Sequence, residues 1–179
     1  MDQDNNRVPV IETKRLLLRP LKMSDAEDLF ECVSDAEVSK YTFWDTHDSI
    51  ADTREFLSRL IADNAACWGI VQRKDEKLIG NCMLHSFEAQ HRRAEIAFNI
   101  TRQYWGHGYA TEVVREVIVF SFRNWELNRI GGTCMTENLA SARVLEKVGM
   151  TFEGILRKYA YTKGAFRDLR LHSILEDEI

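Results

Sequence analysis

The sequence predicts a mixed α/β fold: a central sheet of about seven strands with helices on both faces. Three strand-like segments follow one another in the middle of the chain. A strand, a helix, a strand and a short helix come next, and the chain closes on a hairpin. A wholly parallel, doubly wound sheet needs a helix between nearly all of its strands, and the middle of this chain has none.

The elements run in the order β, α, α, β, β, β, α, β, α, β, β. Residues 1–10 are polar and read as a loose tail to one domain spanning 1–179. Leu16-Leu17-Leu18 between basic residues reads as the first strand, closed by Arg19-Pro20. Ser24 reads as a helix N-cap with Glu27 three residues on, and the helix runs to about Ser34. A second helix begins near Asp48 and carries Phe56, Leu57, Leu60 and Ile61. Cys67 to Arg73 and Leu78 to Phe87 are strands joined by the charged turn Lys74-Asp75-Glu76-Lys77.

The cleanest alternation follows. Ala94, Ile96, Phe98 and Ile100 point one way, and Glu95, Ala97 and Asn99 the other. Ala110, Val113, Val114, Val117, Ile118 and Ser121 share one helix face. Arg129 to Met135 is a strand. Leu139, Ala142, Leu145 and Val148 mark a short helix, ended by Gly149. Phe152 to Tyr161 and Phe166 to Leu175 form a hairpin with Lys163-Gly164 at its turn.

Composition narrows the function. Hydrophobic residues make up 45% and charged residues 29%, as expected of a globular chain. The net charge of −4 argues against a nucleic-acid binder, which carries a basic surplus. No apolar run approaches the roughly 20 residues that span a bilayer, and residues 1–10 lack an apolar secretory core. A cytoplasmic protein without membrane or nucleic-acid partners is the expectation. Cys32, Cys67, Cys82 and Cys134 are scattered with no CxxC pair, so buried reduced thiols are expected rather than a metal site.

The informative segment is Gln103-Tyr104-Trp105-Gly106-His107-Gly108-Tyr109-Ala110-Thr111, between the alternating strand and the long helix. A helix amino end exposes unpaired N–H groups and partial positive charge. Glycines at 106 and 108 allow positive φ and a close approach of backbone to ligand. Successive amides then converge on phosphate oxygens. Two glycines before a helix also suit a plain tight turn. The segment matches neither GxxxxGK[ST] nor GxGxxG, so a ligand other than a P-loop or Rossmann nucleotide is expected.

Gln103-x-x-Gly106-x-Gly108 resembles the Q/R-x-x-G-x-G/A motif of the GNAT superfamily of N-acetyltransferases. Glu95-Ile96-Ala97-Phe98 before it and Tyr109-Ala110-Thr111-Glu112 after it fit the same pattern. The stretch from Asn138 through Ser141 and Lys147 to Gly149-Met150 resembles the branch of ribosomal-protein alanine and serine N-acetyltransferases, as does Glu12 to Pro20. The resemblance covers about Glu12 to Leu175.

It implies an acyl-CoA N-acyltransferase fold whose sheet splays at the Glu95–Ile100 strand, acetyl-CoA as co-substrate, a primary amine as acceptor and no metal. It places the pyrophosphate on the loop 103–111. The pantetheine arm is expected on the backbone of Phe98, Asn99 and Ile100, with the Phe98 N–H polarising the thioester carbonyl. A homodimer is implied by the resemblance alone.

Acyl transfer to an amine needs a base, because an alkylammonium of pKa about 10.4 is mostly protonated near neutrality. Glu95 is the first candidate; a surface carboxylate paired with Arg93 is the competing reading. His85 is second, with an ordinary packed or solvated histidine as its alternative. His107 suits a phosphate or solvent contact. Asn138 is a good N-cap, to which the resemblance adds a bond to the pantetheine amides.

Ser141 matches the position that hydrogen-bonds the leaving thiolate, a role that many relatives give to a tyrosine. Direct transfer without a covalent acyl-enzyme is expected. Residues 43–60 and the hairpin Tyr159–Arg167 line the acceptor side by resemblance. A CoA-binding regulatory protein without turnover and a plain α/β interaction module are the alternatives.

Overall fold

Period-two alternation sorts the strand side chains onto two faces, and each face recruits its own helices. The computed structural model describes residues 8–62 and 66–179. Its elements are β1 (Ile11–Glu12), β2 (Leu16–Pro20), α1 (Ala26–Val33), α2 (Ala36–Ser39), α3 (Ile50–Ala62), β3 (Ala66–Gln72), β4 (Lys77–Glu88), β5 (Arg93–Ile100), α4 (Tyr109–Trp125), β6 (Arg129–Met135), α5 (Leu139–Lys147), β7 (Thr151–Thr162) and β8 (Ala165–Leu175). One mixed sheet runs β1-β2-β3-β4-β5-β6-β8-β7. Among the described residues only β5 and β6 pair parallel, as the crossover through α4 requires.

The expected fold class holds, with an eighth strand, the two-residue β1, and the extra short helix α2. Of the expected tail, residues 1–7 lie outside the described residues. From Val8 the chain is held. Val8 packs on the core, and the Trp68 indole donates to the Pro9 carbonyl at 2.8 Å.

One face buries Val113, Val114, Val117 and Ile118 of α4 and Leu145 of α5 against Trp68, Ile70, Ile96 and Ile130. These are the positions the helical periodicity selects. The other face packs Leu29 and Val33 of α1 and Leu57 of α3 against Cys67, Val71 and Leu78. All four cysteines are buried. Burial pushes the Cys32 thiol up to about 11 and the Cys67 thiol to about 12. Among the described residues, no helix is long and apolar enough to cross a membrane.

The start of the first helix differs from the expected Ser24–Glu27 cap. A 3-10 turn, Met23–Asp25, leads into α1, and the Asp25 carboxylate accepts from the Lys22 N–H at 2.8 Å. Arg19 donates to both Asp25 oxygens at 2.8 and 2.7 Å, which offsets the cost of burying that charge. Glu27 instead pairs with Arg54 of α3 at 2.9 Å. Gly149 does end α5: its φ is 97°, and the Met150 N–H returns to the Leu145 carbonyl at 3.1 Å.

A bulge bends β4 where it pairs with β3. Ile70 opposes Gly80 and Val71 opposes Leu78, so Ile79 is the extra residue. Gly80 has φ 152°, and a Cβ there would lie 2.1 Å from the Asn99 carbonyl oxygen. Gly80→Ala is therefore expected to cost about 2 kcal/mol or more of folding stability, from steric overlap and backbone strain together. Urea denaturation monitored by tryptophan fluorescence measures it; an unchanged midpoint refutes the close approach.

Candidate functional site

Strands β5 and β6 separate in the middle of the sheet. Their pairing, Arg93↔Arg129, Ala94↔Ile130 and Glu95↔Gly131, stops at Glu95, although β5 continues to Ile100. The splay thus begins inside the strand. The Thr101 N–H donates to the Ile79 carbonyl at 2.8 Å, so by alternation Asn99 and Ala97 turn their backbone groups toward β4. The Ile96 carbonyl and the backbone groups of Phe98 and Ile100 turn into the gap. The Trp105 indole donates to the Ile100 carbonyl at 2.6 Å and occupies one of these groups.

The expected loop stands at the same end of β5. Gly106 and Gly108 have φ of 77° and 79°, which glycine adopts without strain. The expected donor set 104–111 is narrower in the structure. The Tyr104 and Trp105 amides already donate to the Thr101 and Arg102 carbonyls at 2.9 and 3.0 Å, closing a 3-10 turn that also contains Gln103. The six amides of Gly106, His107, Gly108, Tyr109, Ala110 and Thr111 have no partner among the described residues. They ring the amino end of the 17-residue helix α4, and the space a Cβ would take at Gly106 is open.

Arg15 fixes this loop from β2's approach. Its guanidinium donates to the His107 carbonyl at 2.8 Å and to Glu112 at 2.7 Å, and lies 4.4 Å from the Tyr109 ring centre. Burial pushes the Glu112 carboxyl up, but hydrogen bonds from Thr13 and Arg15 outweigh it and hold the pKa below the usual range. Glu112 is thus ionised yet neutralised by Arg15, which leaves the helix dipole as the field at the loop. His107 stacks on Tyr109 at 5.8 Å, and its Nδ1 contacts the Trp105 carbonyl at 2.8 Å. Sequence reasoning missed Arg15, because no local pattern links position 15 to position 112.

Glu95 and His85 are directly opposite each other on β5 and β4. Both are partly exposed, although β5 is an interior strand. The competing Arg93–Glu95 pair does not form: Arg93 binds Glu88 at 2.7 Å. Glu95 takes no ion-pair partner among the described residues, and the His85 Nδ1 contacts the Ser86 hydroxyl at 2.9 Å. Further along the same face, Asn99 donates to Asn81 at 2.8 Å and accepts from the Cys32 thiol at 3.3 Å. The Asn99 side chain is therefore committed within the protein, and its backbone faces β4.

Across the gap, α5 follows β6. Asn138 is its N-cap: Oδ1 accepts from the Ser141 N–H at 3.1 Å, leaving the side-chain NH2 free. Ser141 is partly exposed beside the buried thiol of Cys134. Gly132 lets α5 approach: a Cβ there would lie 3.0 Å from the Leu145 side chain. Among the described residues, no group of three His, Cys, Asp or Glu is placed to hold a metal ion.

The comparisons with known proteins point to one family. The model of the acetyltransferase (GNAT) domain matches residues 15–151. The chain is 37% identical over 172 residues to the uncharacterized N-acetyltransferase YoaA of Bacillus subtilis, covering 94% of this chain and 97% of that one. A crystal structure of a GNAT-family acetyltransferase from Bacillus anthracis superposes with a TM-score of 0.87 at 30% identity, covering 95% and 100% of the two chains. The microcin C7 self-immunity acetyltransferase MccE, solved in complex with acetyl-CoA and AMP, shares the fold: TM-score 0.83, 20% identity, 91% and 93% coverage.

His172 of β8, opposite Gly132, is fully buried with neither ring nitrogen hydrogen-bonded. Burial lowers its pKa; Glu146, 3.9 Å away, opposes this and Arg170 adds to it. The unfolded imidazole titrates near pH 6.5. The folded protein disfavours the proton, so this contribution to stability is complete above about pH 6.5. It is lost as pH falls from there through the lowered folded value. Thermal melts between pH 7.5 and 5 are expected to show the decline, and His172→Leu to flatten it; an equal slope in the variant refutes the assignment.

Proposed function

The chain belongs to the GNAT acetyltransferase family, and on that premise we propose that it moves an acetyl group from acetyl-CoA directly to a primary amine, with residues 1–179 acting as one catalytic unit. The acceptor is a protein N-terminus or a small-molecule amine. One observation carries the reading: unpartnered amides of 106–111 at a helix amino end stand beside a strand edge that lacks its neighbour. The first suits a diphosphate and the second an extended amide-bearing arm. Acetyl-CoA carries both, and its thioester supplies the activated acyl group.

The chain's own groups then divide the work. The amides of Gly106 to Thr111 hold the diphosphate, with His107 at its rim. Backbone groups of Phe98 and Ile100 pair with the arm, and the free Asn138 amide adds a bond from the other side of the gap. The Phe98 N–H polarises the thioester carbonyl as negative charge develops on its oxygen. Glu95 takes the proton from the attacking ammonium, directly or through water, with His85 as its cross-strand neighbour. Ser141 donates a hydrogen bond to the departing sulfur. Burial raises the Cys134 thiol above its ordinary pKa, so it suits packing rather than nucleophilic attack and supports direct transfer. Four buried free cysteines accord with a reducing, cytoplasmic setting.

A binder of CoA without turnover would keep the loop and have no use for an unpaired carboxylate in the cleft. Glu95 favours the enzyme.

Acetyl-CoA at a hundred times its Kd is expected to stabilise the protein by about 2.7 kcal/mol, read as a thermal shift. Gly106→Asp, which sets a carboxylate among the amides, is expected to abolish the shift while the protein stays folded. A full shift in this variant overturns the diphosphate site. Glu95→Gln is expected to lower kcat by about 100-fold or more, with acetyl-CoA affinity intact. CoA release measured across a panel of amines and N-terminal peptides tests this, and wild-type kcat in the variant removes Glu95 from the mechanism.

A further inference from the structure

The exposed tip of the β7–β8 hairpin reaches back to touch a helix. Its two-residue turn, Lys163-Gly164, has φ of 49° and 75°, the geometry of a tight type I′ connection. Thr162 beside it is buried, which is unusual at a hairpin tip. The Lys163 ammonium donates to the carbonyl of Ser39, the last residue of α2. Ser39 is itself fixed. Its hydroxyl contacts that of Thr46 at 2.5 Å, and its carbonyl also accepts from the Thr42 hydroxyl at 2.7 Å. A cation at a helix carboxyl end also answers the helix dipole.

The location gives this contact its meaning. The carboxyl end of α1 and the start of α2 lie over the far half of β5, where Cys32 meets Asn99 and Asp35 approaches Arg102 at 3.9 Å. The hairpin projects beyond the end of β6, whose last residue, Met135, pairs with Leu169. Parallel strands β5 and β6 diverge after Glu95, and the Lys163–Ser39 contact joins the hairpin that projects past β6 to the α1–α2 segment that packs on β5. The gap is bounded by β5 on one side, β6 and β8 on the other, the paired residues 93–95 at its base and the tie at its mouth.

Resting on the acetyltransferase reading above, we infer that the Lys163–Ser39 tie is a strap across the acceptor entrance, and that it selects amines presented on a slender, unbranched end. Lys163 is a specificity-determining residue. It touches neither thioester nor base, and acts by limiting the cross-section of what reaches Glu95. A linear polyamine or a flexible peptide N-terminus passes beneath the strap. An amine flanked within a few atoms by a rigid loop does not.

The test uses the full-length protein with two probes bearing the same amine: a linear hexapeptide beginning with alanine, and the same hexapeptide closed by a disulfide between residues 2 and 5. The wild type is expected to acetylate the linear probe at least tenfold more efficiently. Lys163→Ala and Lys163→Met are expected to narrow that ratio at least threefold through KM of the closed probe, with KM for acetyl-CoA unchanged, and Lys163→Arg to restore it.

A second readout does not depend on turnover. Amide hydrogen exchange in residues 39–46 and 159–167 is expected to quicken together in Lys163→Ala. Unchanged exchange in either segment, or an unchanged ratio in an active variant, overturns the strap. Binding of acetyl-CoA by a wild type that acetylates neither these probes nor any amine of the wider panel overturns the transferase reading instead, and the exchange result still decides the strap.

Discussion

A parallel strand pair that stops halfway is the constraint on which the rest of the structure depends. Beyond Glu95 the Ile96 carbonyl and the backbone groups of Phe98 and Ile100 face a gap in the middle of an eight-stranded sheet. A buried peptide group without a partner costs about 1–3 kcal/mol, so the chain must offer each one water, a side chain or a ligand. The Trp105 indole answers the Ile100 carbonyl. The pairing with β6 does not reach the others. The same divergence makes interior residues such as Glu95 and Ala97 partly accessible, which continuous pairing with helices on both faces would prevent.

The supporting elements hold the gap open. Gly132 allows α5 to pack against β6 through Leu145, which brings Asn138 and Ser141 to one bank. The bulge at Ile79–Gly80 seats β4 directly under Asn99, and the Asn81–Asn99–Cys32 contacts lock the other bank to α1. Arg15 pins the loop before α4 through the His107 carbonyl while compensating Glu112. Each bank is thus fixed by contacts that do not cross the gap, apart from the hairpin tip.

What was legible in the sequence depended on how local its cause is. The periodicity of Val113, Val114, Val117 and Ile118, the alternation from Ala94 to Ile100, and Gly149 and Lys163-Gly164 as chain reversals are all short-range, and the structure carries each of them. The glycine loop was visible because positive φ restricts residue choice. Its exact donor set was not, since the 3-10 turn that consumes the Tyr104 and Trp105 amides has no sequence signature. The first helix was read from a Ser24–Glu27 pattern, and Asp25 won because Arg19, on a neighbouring strand, offered it two hydrogen bonds. The strand β1 and helix α2 are too short to show a period. Arg15–Glu112, Arg93–Glu88 and Lys163–Ser39 are contacts in space, which no spacing rule reaches.

The buried cysteines bear on how such a protein lives with its own coenzyme. Free CoA is a thiol, and its oxidised pool consists of disulfides that trade partners with any accessible thiolate. Cys32 and Cys67 are enclosed, and burial pushes their pKa up to about 11 and 12, so near neutrality they hold almost no thiolate. Cys134, the nearest thiol to Ser141, is likewise enclosed and held above its ordinary range. Thiols held this way stay out of exchange with a thiol-bearing compound.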